Sequence, residues 1–297
     1  MVTAPARRIG IDLGGTKIEG VVLDGDLRPV FRQRIATESA GGYEHILRRI
    51  TSLADVLRRA APECVMIGIG TPGSISSRDG AMKNCNTTCL NGRYLPEDLA
   101  QRLKLQVRIE NDANCFTLAE ALAGAGRDAP MVFGVIMGTG VGGGIVYRGE
   151  VRRGPQNLAG EWGHHCIDPS GPACYCGQSG CVEGFISGPA VERDYGTQTG
   201  RRTGLAEIVT RYRGGEADAA AVIGRFIDHF GRALANVIDI LDPDAIVLGG
   251  GLSNIDELCT AGRDAVARYV FNDELRTPIR RNQLGDSAGV IGAALLA

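Results

Sequence analysis

Charge imbalance is nearly absent from this chain: 32 lysines and arginines stand against 34 aspartates and glutamates, a net −2. That balance gives no general electrostatic reason to hold nucleic acid or an anionic membrane surface. Long apolar runs are missing as well, and none reaches the roughly 18 residues of a membrane span. The start, Met1 to Arg8, lacks the apolar core of a signal peptide and leads straight into a strand pattern. A cytoplasmic protein is the expectation, with neither nucleic acid nor membrane as partner. No linker-like or low-complexity stretch interrupts the 297 residues, which suffice for two domains with sizeable cores.

Glycine, by contrast, is abundant. Its 43 residues gather at the ends of apolar runs, where they mark tight turns and close backbone approaches. The run Ile9-Gly10-Ile11-Asp12-Leu13-Gly14-Gly15-Thr16-Lys17 reads as a strand, a turn with open amides and a returning strand. Such a turn can hold phosphate against N–H groups while Asp12 faces a metal ion, although a Gly-Gly turn is more often only a hairpin. Strands are read at residues 8–13, 19–24 and 27–36, a helix over Tyr43–Ala61 stopped by Pro62, and a buried strand over Cys64–Gly70. A helix near 96–104 follows. The strand Val107–Glu110 then delivers Asn111-Asp112 to a helical Ala113–Ala123.

That order recurs. Val132–Met137 is a strand, Gly138 to Gly143 a glycine turn, Gly144–Tyr147 a return, and Arg148-Gly149-Glu150 the next turn. An internal repeat of about 120 residues implies two similar domains, with the boundary at a crossing helix near residues 112–125. A third turn, Gly249-Gly250-Gly251, follows the long helix Ala217–Leu241, the stop Asp242-Pro243-Asp244 and the buried strand Ala245–Leu248. A helix over Asn254–Val270, a strand over Pro278–Arg281 and a last helix capped by Asp286 complete the reading.

Three glycine turns at strand ends suit a nucleotide, because bulky side chains there would hold the ligand off. Asp12 is placed to orient magnesium and Lys17 to neutralise phosphate, against the plain reading of a solvated lysine. Phosphoryl transfer also needs a base for the acceptor hydroxyl, and Asp112 is the candidate. The plain alternative for Asn111-Asp112 is a helix N-cap. Further on, Cys174-x-Cys176-Gly177-x-x-Gly180-Cys181 supplies three thiolates, and an imidazole would close a tetrahedral structural zinc site. His164 is favoured as that fourth ligand, with His165 and Cys166 the alternatives. Glu161 and Glu183 flank the loop and can accept hydroxyl hydrogen bonds from a polyhydroxylated ligand. The other cysteines (Cys64, Cys85, Cys89, Cys115, Cys166, Cys259) read as small buried apolar residues.

Together these motifs resemble the ROK family of sugar kinases and repressors, within the actin and hexokinase-like ATPase superfamily. The likeness spans nearly the whole chain. The turn Pro72-Gly73-Ser74-Ile75-Ser76, the loop Lys83-Asn84-x-Asn86-Thr87-Thr88-x-Leu90-Asn91-Gly92 and the run Phe185-Ile186-Ser187-Gly188 look most like the bacterial fructokinase or mannokinase branch. The resemblance implies an α/β fold of two actin-like, ribonuclease H-like domains around a central cleft. Residues 1–118 and the last helix, 286–297, would form the first domain; 119–285, with the zinc loop, would form the second. It implies ATP-dependent phosphorylation of the 6-hydroxyl of a hexose, fructose first, with ATP, Mg2+ and structural Zn2+ as cofactors and a homodimer as the assembly. The alternatives are an N-acetylglucosamine, N-acetylmannosamine or glucose kinase. A repressor or sugar sensor is disfavoured, because the first strand leaves no room before it for a helix-turn-helix.

Residue by residue, Asp112 matches the catalytic base of that family. Gly73, Asn84, Asn111, Asp112, Glu161, His164 and Glu183 match sugar-contacting positions. Asp12, Gly14, Gly15, Thr16, Lys17, Gly138, Thr139, Gly140, Gly249, Gly250 and Gly251 match the nucleotide turns. His164 would then serve zinc with one nitrogen and sugar with the other. One departure is the short His164–Cys174 segment, where His165-Cys166 replaces residues less able to bind metal.

Overall fold

A computed structural model describes residues 7–297. Alternating apolar residues pair Arg8–Leu13 (β1) antiparallel with Lys17–Leu23 (β2), Asp12 opposite Glu19 and Leu13 opposite Ile18. The Gly14–Thr16 turn thereby sits at the carboxyl end of β1. Pro29–Ala36 (β3) adds to the outer edge of β2, and Gly42–Ala60 (α1) lays Ile46, Leu47, Ile50 and Leu57 into the core. Met66–Thr71 (β4) runs parallel to β1. A two-stranded ribbon, Ser74–Ile75 (β5) with Met82–Lys83 (β6), and the helix Leu95–Leu103 (α2) lead to Gln106–Asn111 (β7), parallel to β4. The sheet order is β3-β2-β1-β4-β7, and Asp112–Ala123 (α3) follows directly.

The next strands are Met131–Met137 (β8), Val141–Tyr147 (β9) and Glu150–Val151 (β10). Four helices come after them: Glu183–Ile186 (α4), Gly188–Thr199 (α5), Leu205–Arg213 (α6) and the 25-residue Ala217–Leu241 (α7). Ala245–Gly249 (β11), Ala261–Tyr269 (α8), Ile279–Arg281 (β12) and Ala288–Leu295 (α9) end the chain. The second sheet has the order β10-β9-β8-β11-β12, again an antiparallel three-strand meander followed by two parallel strands. The repeat read from the glycine turns is therefore a duplication of topology.

The chain separates into two compact units. The first holds residues up to Arg127, with Gly144–Ala159 and Leu284–Ala297; the second holds Asp128–Gly143 and Gly160–Gln283. In the first, α9 is set into β1, β4 and α3 through glycines. A Cβ on Gly10 would lie 2.4 Å from the Ala294 nitrogen, one on Gly68 1.8 Å from the Ala293 oxygen, and one on Gly292 1.7 Å from the Cys115 oxygen. In the second, Phe226, Phe230 and Leu234 of α7 are buried, as are Val132 and Val135 of β8 and Ile246 and Val247 of β11.

Several local expectations are corrected. The helix expected over Asn254–Val270 forms only as α8, and Gly251–Asn254 and Asp256–Cys259 are 3-10 turns. The buried residues there, Leu252, Ile255 and Leu258, recur every third position, which matches three residues per turn. Asp286 does not cap α9. It lies inside a 3-10 turn, Gly285–Ser287, and the chain enters α9 already coiled, so no side chain folds back on its amides. Val141, Gly142 and Gly143 belong to β9 rather than to the turn, and Gly249 ends β11. Helices α4 to α6 were not anticipated. Among the scattered cysteines, Cys85 and Cys115 are buried as expected but Cys166 is exposed.

Candidate functional site

In the first unit the residues of interest collect at the carboxyl ends of parallel strands, where open α/β sheets bind ligands. Register sets them side by side, Asp12 opposite Gly70 and Thr71 opposite Asn111. Burial, then the charges of Asp112 and Glu19, push the Asp12 carboxyl up to about 7, against the pull of Lys17 and Arg34. Two acids crowded in this way favour a cation nearby, so the site fits magnesium. A Cβ on Gly70 would lie 3.2 Å from Asp12 Oδ1 and one on Gly289 3.4 Å from its Oδ2. Next to Asp12 the turn is pinned. The Gly14 N–H donates to the Lys17 carbonyl at 3.0 Å, and the Thr37 N–H to the Thr16 carbonyl at 2.9 Å. Gly15, Thr16 and Lys17 remain exposed.

Asn111 and Asp112 divide the two readings offered for them. Asn111 is the N-cap of α3, its Oδ1 accepting the Ala113 N–H at 2.9 Å, while Asp112 opens the helix and accepts the same N–H at 2.8 Å. Asn111 is fixed in turn by Glu110, whose part sequence reasoning passed over. This buried carboxylate accepts the Asn111 N–H at 2.9 Å and Asn114 Nδ2 at 2.9 Å, and its other oxygen takes the Arg153 guanidinium. A signal existed, since an acid in a parallel strand one residue before Asn111-Asp112 must find donors or stay out of the sheet. Gly73 is required by close approach: a Cβ there would lie 2.5 Å from Cys85 Sγ and 2.7 Å from the Lys83 oxygen. Asn84 is exposed at a positive φ of 56° in that same Lys83–Cys85 stretch. Gly73, Asn84, Asn111 and Asp112 thus border one another. Lys83 Nζ donates to the Gln156 carbonyl at 2.9 Å and Asn157 Nδ2 to the Ile75 carbonyl at 2.9 Å, tying residues 152–159 to the ribbon.

In the second unit two glycine turns lie back to back. The Gly138 N–H donates to the Gly140 carbonyl at 2.9 Å, and the Gly188 N–H, at the head of α5, to the Gly138 carbonyl at 2.8 Å. Gly250, with φ 76°, approaches so closely that its Cβ would lie 2.3 Å from the Met137 oxygen. Gly138, Thr139, Gly140, Gly250 and Gly251 are brought together, with Thr139 and Gly250–Gly251 exposed. Glu183 is not a surface acid. Its Oε2 accepts the Val141 N–H at 2.9 Å and would lie 2.6 Å from a Cβ on Gly140.

The cysteine loop gathers a metal-binding set. One ligand atom from each of His164, Cys174, Cys176 and Cys181 lies within 4.8 Å of all the others. Cys174 Sγ stands 3.5 Å from His164 Nδ1, and Cys176 Sγ 3.6 Å from Cys181 Sγ. A zinc tetrahedron with bonds of about 2.3 Å to sulfur and 2.0 Å to nitrogen has edges of about 3.5–3.8 Å, which these two separations match, and the 4.8 Å span of the whole set needs only a small inward shift to fit zinc. Gly180 permits the return, because a Cβ there would lie 1.7 Å from the Asp168 oxygen. His165 turns away to Asn236 at 3.2 Å, and the gathered set takes in His164 but neither His165 nor Cys166. Glu161 precedes a 3-10 turn, Trp162–His164, that is anchored by Trp162 Nε1 donating to the Gly142 carbonyl at 2.9 Å. Tyr175 was also missed. Its hydroxyl lies 3.0 Å from His164 Nε2, the nitrogen expected to face the sugar.

No helix of the described residues is long and apolar enough to cross a membrane. Compared with known proteins, residues 8–297 match the model of the ROK family. An N-acetyl-D-glucosamine kinase of Pectobacterium carotovorum is 38% identical over 300 residues, covering 97% of each chain. The structure of a ROK hexokinase from Thermus thermophilus is similar with a TM-score of 0.89 at 33% identity, over 98% of this chain and 97% of that one. A ROK family glucokinase from Streptomyces griseus, in complex with glucose and AMPPNP, gives 0.82 at 28% identity, over 98% and 99%.

Proposed function

The chain belongs to the ROK family and is one of its sugar kinases, and from that premise we propose that it phosphorylates an N-acetylated hexosamine, N-acetyl-D-glucosamine first, at the 6-hydroxyl with ATP. The observation that carries this reading is the 38% identity, end to end, with an N-acetyl-D-glucosamine kinase. The loop motifs pointed to fructose. The relatives above are instead an N-acetylglucosamine kinase, a hexokinase and a glucokinase, so fructose yields first place.

In this proposal Asp112 takes the proton of the 6-hydroxyl as the new bond forms. The Ala113 N–H, shared with the Asn111 cap, holds that carboxylate, and Glu110 fixes Asn111 beside it, which is the positioning that phosphoryl transfer depends on. Gly73, Asn84, Asn111, Glu161 and Glu183 are the proposed sugar-contacting positions, and His164 serves the sugar with the nitrogen it does not turn toward the thiolates. Gly14, Gly15, Thr16, Gly138, Thr139, Gly140, Gly250 and Gly251 offer bare backbone to the nucleotide, and Lys17 offers its charge to the phosphates. Asp12 would hold magnesium through water, and the ion when bound neutralises phosphate charge. The zinc held by His164, Cys174, Cys176 and Cys181 is structural: four protein ligands leave no open position for substrate. A homodimer working in the cytoplasm completes the proposal.

A coupled ADP-release assay over N-acetylglucosamine, N-acetylmannosamine, glucose, mannose and fructose tests it. N-acetylglucosamine is expected to give the highest kcat/KM. A higher value for fructose or glucose would return the assignment to the simple hexoses.

A further inference from the structure

His164 uses one nitrogen toward the thiolates, with Nδ1 at 3.5 Å from Cys174 Sγ, and presents the other to a phenol, with Nε2 at 3.0 Å from the Tyr175 hydroxyl. The two rings stand edge to face, centroids 5.1 Å apart at 88°. The arrangement fixes the direction of the hydrogen bonds. A neutral imidazole whose Nδ1 lone pair is directed at the metal-binding set carries its proton on Nε2, so Nε2–H donates to the tyrosine oxygen. The tyrosine's own O–H is then left to donate elsewhere. Its ring is 74% exposed, unusual for a side chain flanked on both sides by metal-ligating cysteines.

A flat ring carrying an outward donor suits an acetamido substituent, which offers a methyl for the ring face and a carbonyl oxygen for the donor, where the hydroxyl of a bare sugar offers no methyl. Resting on the substrate reading above, we propose that Tyr175 is a specificity-determining residue, its hydroxyl donating to the carbonyl of the sugar's N-acetyl group while its ring covers the methyl. His164 acts through it. By donating to the phenol oxygen, His164 polarises the O–H and holds the ring in place. The histidine nitrogen assigned to sugar thus reaches the substrate by way of this hydroxyl.

Tyr175→Phe keeps the ring and removes only the donor. Equilibrium binding by calorimetry, without ATP, is compared for N-acetylglucosamine and glucose, and metal per chain is measured by elemental analysis. The expected result is about three- to tenfold weaker binding of N-acetylglucosamine, binding of glucose within about twofold of wild type, and an unchanged metal content. Tyr175→Ala, which also removes the ring, is expected to weaken N-acetylglucosamine more still and so to narrow its advantage over glucose further. Equal losses for both sugars, or none for either, overturn the proposal. So does loss of metal with parallel losses, because Tyr175 then serves only the cysteine loop. The wild-type ranking separates the two claims. A wild type that prefers another hexose sinks the substrate reading and this inference with it. A wild type that prefers N-acetylglucosamine and keeps that preference undiminished in Tyr175→Phe sinks this inference alone.

Discussion

Asp12 combines a functional position with an unfavourable environment, and the conflict can be measured. Replacing it with asparagine keeps the size and removes the charge. With the carboxyl held at about 7 rather than near 4, chiefly by burial and by Asp112, the folded state binds a proton more tightly than the unfolded chain. The sign follows directly: the stability this group contributes is fully present below pH 4 and is lost as pH rises through 7. A displacement of that size corresponds to about 4 kcal/mol at 1.36 kcal/mol per pKa unit. Asp12 is only partly covered from solvent, which screens the charge and reduces the figure to about 2 kcal/mol. The Asn variant has no such titration. In magnesium-free buffer the two proteins should therefore melt together near pH 4.5, and Asp12→Asn should melt about 4–8 °C higher at pH 8. Added Mg2+ should narrow the gap by stabilising wild type alone, and the variant should lose kinase activity. Thermal unfolding followed by circular dichroism at the two pH values reads the difference. A gap that stays constant between pH 4.5 and 8 would refute the reasoning, since the charge would then cost the fold nothing.

Three further outcomes follow from the geometry. Asp112→Asn should lower kcat by about 10²–10⁴-fold while sugar affinity, measured by calorimetry, stays within about threefold; activity within about tenfold of wild type would remove it as the base. Purified protein should carry about one zinc per chain, and Cys181→Ser should lose it and expose residues 164–183 to limited proteolysis while the remainder of the protein stays folded. Gly292→Ala would place a Cβ 1.7 Å from the Cys115 oxygen, backbone that cannot swing aside. It should destabilise by about 3 kcal/mol or more, and a melting temperature within about 2 °C of wild type would contradict the close docking of α9.

The sequence was most legible where the backbone itself is the working part. A glycine turn after an apolar strand leaves a mark that no side-chain detail can blur, and the shared topology of the two sheets follows from the marks at Gly14, Gly138 and Gly250. The cysteine spacing was legible for the same reason, because ligands so close in sequence need sharp glycine turns to converge. The region 183–213 was less readable. The α4 and α5 helices carry few apolar residues at helical spacing, and their start is set by tertiary bonds such as Gly188 N–H to the Gly138 carbonyl. Glu110 and Tyr175 escaped notice because their importance lies in partners far along the chain or across a ring plane. Arg153 is 43 residues from Glu110, and the Tyr175–His164 bond depends on which way a histidine ring turns. Fructose was preferred on loop motifs near Gly73 and Asn84. Those motifs are short, whereas the 38% identity with an N-acetyl-D-glucosamine kinase extends over 97% of the chain.

The docking of α9 also bears on the order in which the protein matures during synthesis. Asp12 leaves the ribosome early and Asp112 follows 100 residues later, yet the glycine-lined surface of their sheet is closed by residues 288–295, made after all the other elements of the two units. Residues 128–143 and 160–283 of the second unit all emerge before that helix does. The half bearing the proposed base is thus begun first and finished last, and until then it presents an open apolar groove to the cell's chaperones. Ribosome-stalled chains should therefore bind chaperone until α9 clears the exit tunnel and gain kinase activity only afterwards.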